Sequence, residues 1–395
     1  MFAEYSATAS TGRAAAPRFL PHVVVVGIEP AQRSPTRRTA TAAGSTEFLV
    51  SIHEEGSALR WRRRARVSTQ TQRRLVTAAE ELHLWAAGLG LTPASAARTV
   101  EQLGRSLYRS FLGDSGARTL EALSPTALLL QVDESLVNLP WELIWGPAGP
   151  MALDCPFGRV VTTGQVPRGA RDPVTEDTRL RILAVANPTQ DLSASEAEID
   201  AIRALAGPVG GLTVEVTVLQ REAATMAAFR AAVDGRDYEL LHFAGHATFD
   251  GRDPLASALL LADGTIGADE LASLPWSAPP YVVFNSACSS ARAGAQRRLV
   301  SPRGRTNGLA AAFLSAGVEA YLGHYWPVSD TSARRFSDCF YRSLFERRNI
   351  GQALLAARCQ AAQAYDSDRD LTALGLVYFG DSGTAERRDT VTMAS

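Results

Sequence analysis

From Leu180 onward, short near-continuous apolar runs alternate with segments whose apolar residues recur every three or four positions. Leu180 to Ala186, Thr213 to Leu219, Tyr238 to His246, Tyr281 to Cys288, Val318 to Tyr325 and Leu374 to Phe379 read as strands. Ile199 and Ile202, then Met226, Phe229 and Val233, then Ala333, Phe336, Phe340 and Leu344 mark helical faces, and a further helix spans Gly351 to Tyr365. Ser195 with Glu198 reads as a capping box, Ser329 as another N-cap, and Thr306 or Asn307 as the start of a small-residue helix through Ala316. This alternation predicts an α/β fold: a mostly parallel sheet of about six strands with right-handed crossovers and helices on both faces. Ala258 to Leu261 is a further short apolar run.

The first half has a different grammar. Residues 1–20 are small and polar and read as a disordered N-terminus. Pro21 to Ile28 reads as a strand, 29–45 as a basic loop, and Glu47 to Ile52 with Ala58 to Val67 as a hairpin. Leu75, Ala78, Ala79, Leu82 and Trp85 recur at helical spacing, as do Val100, Leu103, Leu107 and Phe111. Ala127 to Val132 is a strand, followed by Pro140, Trp141 and Trp145 in a segment whose composition points to packing. Residues 165–179, rich in Pro, Gly, Arg and Asp, form the best boundary. The expected organisation is an α+β N-terminal part over 21–170, a second part over 180–385 and a tail over 386–395.

Composition narrows the functional classes. The 40 basic side chains, all arginine, balance 41 acidic ones, which offers no argument for nucleic acid or an anionic membrane. No run reaches the length of a membrane span, and the four cysteines, Cys155, Cys288, Cys339 and Cys359, show no CxxC pairing or metal-like clustering. The expectation is a cytoplasmic protein with no cofactor. His242 and His246 have the spacing of a helical zinc pair, but the segment reads as strand and lacks the glutamate of HExxH. Gly113-Asp114-Ser115-Gly116 and Gly380-Asp381-Ser382-Gly383 echo a serine-protease motif, but an α/β chain lacks the barrels that chemistry uses.

The candidate chemistry sits at two strand ends. If the strands closing at His246 and Cys288 are parallel neighbours, a spacing of about 4.8 Å brings an imidazole and a thiol to one sheet edge. Gly245, Ala247, Ala287, Ser289 and Ser290 surround them with little bulk, so a peptide backbone could approach. In that reading Cys288 attacks a carbonyl, His246 handles the proton, and the backbone N–H groups of Ala247 and Cys288 hold the oxyanion. The alternatives are a turn histidine and a buried structural thiol, or a small-molecule-binding domain, which the missing phosphate-binding glycines disfavour.

Several segments together resemble the CHAT-domain proteins, caspase-like cysteine peptidases of clan CD related to separase. They are Leu139-Pro140-Trp141-Glu142-Leu143-Ile144, Leu241-His242-Phe243-Ala244-Gly245-His246, Phe284-Asn285-Ser286-Ala287-Cys288-Ser289-Ser290, Gly317-Val318 through Trp326-Pro327-Val328-Ser329-Asp330, and Val377-Tyr378-Phe379-Gly380-Asp381. The resemblance covers about residues 75–385 and implies a caspase-haemoglobinase-like fold, with the boundary near 170 an internal seam. It implies an endopeptidase acting on a partner protein encoded nearby, such as a pore-forming effector in bacterial defence or regulated cell death; a catalytically silent scaffold is the alternative. Ala247 departs from the glycine that caspases and separases keep after the histidine. TPR repeats, frequent companions of the family, are not found, which suggests a separate activator or TPR-type partner. By the same resemblance Asp330 receives a basic P1 side chain, with Trp326 and His324 in the cleft, although Asp330 also suits the first turn of a helix and packing suits the other two. The arginine-dense loop 291–305 either gates the site, with self-cleavage after Arg297 or Arg298, or is a solvated connection.

Overall fold

The computed structural model describes residues 22–31, 44–163, 179–209, 212–249, 256–276, 278–292, 308–346, 349–363 and 370–381. The N-terminal part begins with β1 (Val23–Pro30), the hairpin β2 (Ser45–Glu54) and β3 (Trp61–Ser68), and the helices α1 (Thr69–Ala86), α2 (Pro93–Phe111) and α3 (Gly113–Leu123). It closes with β4 (Ala127–Asp133) and β5 (Phe157–Thr162). Ser68 and Thr92 cap α1 and α2 through their hydroxyls. The second part runs β6 (Arg179–Ala186), α4 (Ser193–Arg203), β7 (Gly207–Val209), β8 (Leu212–Gln220), α5 (Met226–Gly235) and β9 (Leu240–Ala244). It continues through β10 (Ala247–Thr248), β11 (Ala258–Leu261), β12 (Gly264–Gly267), α6 (Ala268–Ser273), β13 (Val282–Asn285), α7 (Leu309–Ser315) and β14 (Ala320–His324). The last elements are α8 (Asp330–Phe345), α9 (Ile350–Gln363), α10 (Thr372–Gly375) and β15 (Leu376–Phe379).

One 12-stranded sheet runs β3-β2-β1-β4-β5-β15-β14-β13-β9-β6-β8-β7. The second part contributes six strands and the three-residue β7, and the N-terminal part extends the same sheet by five. From β8 to β14 every pairing is parallel, whereas β15 is antiparallel to β14. Side chains alternate across the sheet. Leu183, Val185, Leu241, Phe243 and Val283 enter a core shared with α1, α2, α5, α6 and α7, while Ile182, Ala184, Leu240, Ala244 and Phe284 face α4, α8 and α9. The first of these cores also holds Val24, Trp141, Phe157 and Phe379, so one apolar interior crosses from one part into the other.

Several local expectations shift. The Ala258–Leu261 run forms the middle of a separate three-stranded sheet, β10-β11-β12. The capping box expected at Ser195 and Glu198 does not form: the N-cap of α4 is Leu192, three residues earlier, and Ser195, Glu198, Ile199 and Ile202 share its buried face. Ser329 does cap α8, accepting from Ser332 N–H at 3.2 Å. Thr306 and Asn307, and the loop arginines Arg297 and Arg298, lie outside the described residues. Among the described residues, no helix is long and apolar enough to cross a membrane.

The seam between the two parts is held by buried charge. β5 and β15 share only the Arg159–Phe379 pair, extended by Gly380 N–H to Arg159 O at 2.8 Å. Arg159 is buried with Glu142, its Nε donating to Oε1 at 2.8 Å and its Nη2 to Oε2, while Nη1 donates to Val137 O at 3.2 Å. Beside it the buried Arg358 of α9 donates to Leu376 O at 2.9 Å and Phe157 O at 3.4 Å. Burial, more than any neighbouring charge, lowers the Arg358 pKa to about 10. Glu142→Gln leaves a buried guanidinium short of its counter-charge and is expected to cost about 3–5 kcal/mol in urea unfolding. A Glu142→Leu/Arg159→Met double variant is expected to cost less than the sum of its single changes.

Candidate active site

β9 and β13 are parallel neighbours at the centre of the second part, with Phe243 opposite Asn285. His246 and Cys288 each follow that pair by three positions, so both lie in turns just beyond the carboxyl ends of adjacent strands. Ser286 N–H extends the pairing by donating to Phe243 O at 2.8 Å. Gly245 leaves room there, because a Cβ would sit 3.0 Å from the Phe243 ring and from Pro188 and would have to push one of them aside. The turn bearing Cys288 is tied down from several sides. Asn285 Oδ1 accepts from Ala287 N–H at 3.1 Å, Ser290 Oγ donates to Asn285 O at 2.9 Å, and His324 N–H donates to Ser290 Oγ at 3.0 Å. Tyr321 OH donates to Ser290 O at 2.8 Å, and Ser289 adopts a left-handed φ of 57°. Gly323 lets the turn dock, since a Cβ would lie 2.8 Å from Ser290 Oγ.

Cys288 is exposed at the surface. Its Sγ accepts from Val328 N–H at 3.4 Å and donates to Val328 O at 3.6 Å. The protein packed around the thiol pushes its pKa up; Val328 N–H opposes this and the carboxylate of Asp330 adds to it. The resting group is therefore a neutral thiol. His246 turns its Nε2 toward Asp191, 3.1 Å from Oδ1 and 3.0 Å from Oδ2. Thr189, which donates to Oδ1, and then His246 hold the Asp191 carboxyl below its ordinary range. Asp191 sits in the turn after β6, where Leu192 N–H donates to Asn187 Oδ1 at 2.8 Å and Asn187 Nδ2 donates to Glu196 Oε1 at 2.6 Å. Ala247 starts β10; Leu260 N–H donates to His246 O at 3.0 Å, which makes Ala247 and Leu259 a non-hydrogen-bonded pair. The Ala247 N–H consequently points away from β11.

Beneath these turns lies a buried carboxylate. Glu198 of α4 is 3.1 Å from His242 Nε2, accepts from Ser286 Oγ at 3.3 Å, and accepts from Ser337 Oγ of α8. His242 Nδ1 lies 2.8 Å from Tyr341 OH, and its ring stacks on Phe284 with centroids 5.0 Å apart. Burial opposes ionisation of Glu198, but the pull of the nearby His242 and the hydrogen bonds from Ser337 and Ser286 outweigh it, so its pKa is lowered. One carboxylate thus ties together the strand leading to His246, the turn leading to Cys288 and the helix that begins at Asp330.

Asp330 is the exposed first residue of α8, near enough to Cys288 for its charge to act on the thiol. Trp326, expected in a substrate cleft, is instead 1% exposed. Its indole N–H donates to Ala79 O at 3.4 Å and its ring meets Tyr325 edge-on at 4.8 Å, so it is a core residue. His324 is buried too, and burial brings its pKa down to about 4. Sequence reading missed Asp191 and Glu198. Asp191 had a signal, a polar turn at the carboxyl edge of a central strand; Glu198 had none, since it also fits a capping box.

The fold and the site define an α/β protein with a thiol and an imidazole at the carboxyl edge of a central parallel sheet. The chain belongs to the CHAT domain family, whose pattern it matches over residues 101–373. The fold is similar to Saccharomyces cerevisiae separase as seen in two separase–securin crystal structures. At 3.0 Å resolution the TM-score is 0.58 with 12% identity, over 91% of this chain and 30% of that one. At 2.6 Å resolution it is 0.55 with 13% identity and the same coverage, 91% and 30%. This chain therefore spans less than a third of the separase chains. No curated protein matches it.

Because the protein packed around the thiol, and then Asp330, raise the Cys288 pKa, the rate of iodoacetamide alkylation is expected to be still rising above pH 8.5, about where a free cysteine has half-ionised. Asp330→Asn removes the negative charge and is expected to move that profile to lower pH.

Proposed function

We propose that this protein is a cysteine endopeptidase that cleaves a partner protein, with Cys288 as nucleophile and His246 as general acid–base. The observation that carries the reading is the Phe243–Asn285 register, which sets His246 and Cys288 at equal distance along the chain beyond one pair of adjacent strands. Since the resting thiol is neutral, its proton passes to His246 as sulfur attacks the scissile carbonyl. With Nε2 on Asp191, Nδ1 is the nitrogen that works on the substrate, and the carboxylate stabilises the imidazolium formed. The N–H groups of Ala247 and Cys288 hold the oxyanion; the Ala247 N–H is available because β11 does not use it. The imidazolium protonates the leaving amine, and water then hydrolyses the thioester to free the acid product and the thiol.

Asp330 is the proposed receptor for a basic P1 side chain through charge-assisted hydrogen bonds. Trp326 has no part in this because it is buried. The separase structures contain securin, which fits a protein ligand here as well. By family resemblance the substrate is an effector encoded nearby, and a separate protein supplies activation. The engagement of Cys288 with Val328 favours a second reading, a silent scaffold that recruits its partner without cutting it.

A peptidyl acyloxymethyl ketone with arginine at P1 separates the two. Covalent attachment at Cys288, read by mass spectrometry, is expected in the native protein and lost in Cys288→Ala, in His246→Ala and on denaturation. An inert thiol in the native protein supports the scaffold. Asp330→Asn is expected to weaken labelling by the arginine probe about ten-fold or more while sparing a probe with a neutral P1 residue.

A further inference from the structure

Arg292 leaves the nucleophile turn, where its N–H donates to Ser289 O at 3.1 Å. Its side chain is only 8% exposed, and Nη2 lies 2.6 Å from Glu80 Oε1 on α1. The guanidinium carbon sits 5.0 Å from the centroid of the Phe249 ring and 5.8 Å from that of Tyr325. Phe249 follows His246 by three positions, just beyond β10, and Tyr325 directly follows β14, its hydroxyl donating to Asn138 O. One cation therefore touches the loop after His246, the turn after Cys288, the exit of β14 and α1. A guanidinium this buried needs its counter-charge. Neighbouring His83 does not compete for Glu80, because burial, then Arg292, brings its pKa down to about 4 and keeps it neutral at pH 7. Without Glu80 the arginine loses the anion that holds it between the two rings, and the loop carrying Phe249 loses its contact with the nucleophile turn.

We propose that Glu80 and Arg292 form a positioning clamp that holds the His246 loop and the Cys288 turn in their working geometry. The proposal rests on the peptidase reading. Neither residue touches the reacting atoms. Glu80 precedes the family match at residues 101–373, so the N-terminal part supplies a residue that the site depends on.

The test compares two probes on the full-length protein. The arginine acyloxymethyl ketone requires the thiol and imidazole to act together, whereas iodoacetamide at pH 9 reads only thiol access. Arg292→Ala and Glu80→Gln are each expected to slow ketone labelling about ten-fold or more, beyond any lowering of the melting temperature and with iodoacetamide rates close to the parent. Glu80→Gln is expected to add nothing in an Arg292→Ala background, the mark of a single coupled unit. Glu80 is half exposed, so its variant stays informative if Arg292→Ala fails to fold. Parent-like ketone labelling in Glu80→Gln, penalties that multiply in the double variant, or losses that track with both iodoacetamide rate and melting temperature would overturn the clamp. A parent protein that takes up iodoacetamide but no ketone would instead overturn the peptidase reading and, with it, the clamp.

Discussion

The parallel pairing of β9 with β13 is the constraint on which the site depends. Two strands whose hydrogen bonds run in register end together, and their next residues emerge at one edge of the sheet. A slip of one residue would also send His242 and Phe284 into the opposite core, so the apolar alternation that builds the two cores guards the register of the site. The neighbours β6 and β14 complete the arrangement. β6 releases the turn that brings Asp191 to His246, and β14 docks the Cys288 turn through Ser290 and Gly323.

Buried charge serves as joinery in two places. Glu142 and Arg159, with Arg358 beside them, hold the junction where the N-terminal strands join the rest of the sheet through a single residue pair. Glu198 does the same beneath the site, linking β9, the Cys288 turn and α8. Such groups contribute little net stability compared with an apolar replacement, yet removing one partner is costly. The two joints sit where the fold has least backbone pairing and where the side chains at the site must agree in position.

Much of this was legible in the chain. Near-continuous apolar runs and helical apolar patterns located the longer strands and helices of the second part, because burial on both faces of a parallel sheet demands continuous apolar strands; the short β7, β10, β12, α6 and α10 carry no such pattern. Gly245, Ala247, Ala287, Ser289 and Ser290 marked surroundings of little bulk around His246 and Cys288. Trp326 was left between cleft and core because an aromatic beside a strand end reads alike in either, and its burial decides for the core. Glu198 was misjudged because a carboxylate three residues after a serine fits a helix cap as well as a buried ion pair.

Residue type and order determined the α/β class, the strand and helix positions and the identity of the thiol and imidazole, since these depend on local periodicity and short motifs. Tertiary structure decided that five N-terminal strands extend the same sheet, that Asp191 faces His246, and that Glu80 reaches Arg292 across 212 positions of chain. Those pairings come from strand order and helix packing. A charged residue carries the same local signature whether its partner is solvent or another side chain far along the sequence.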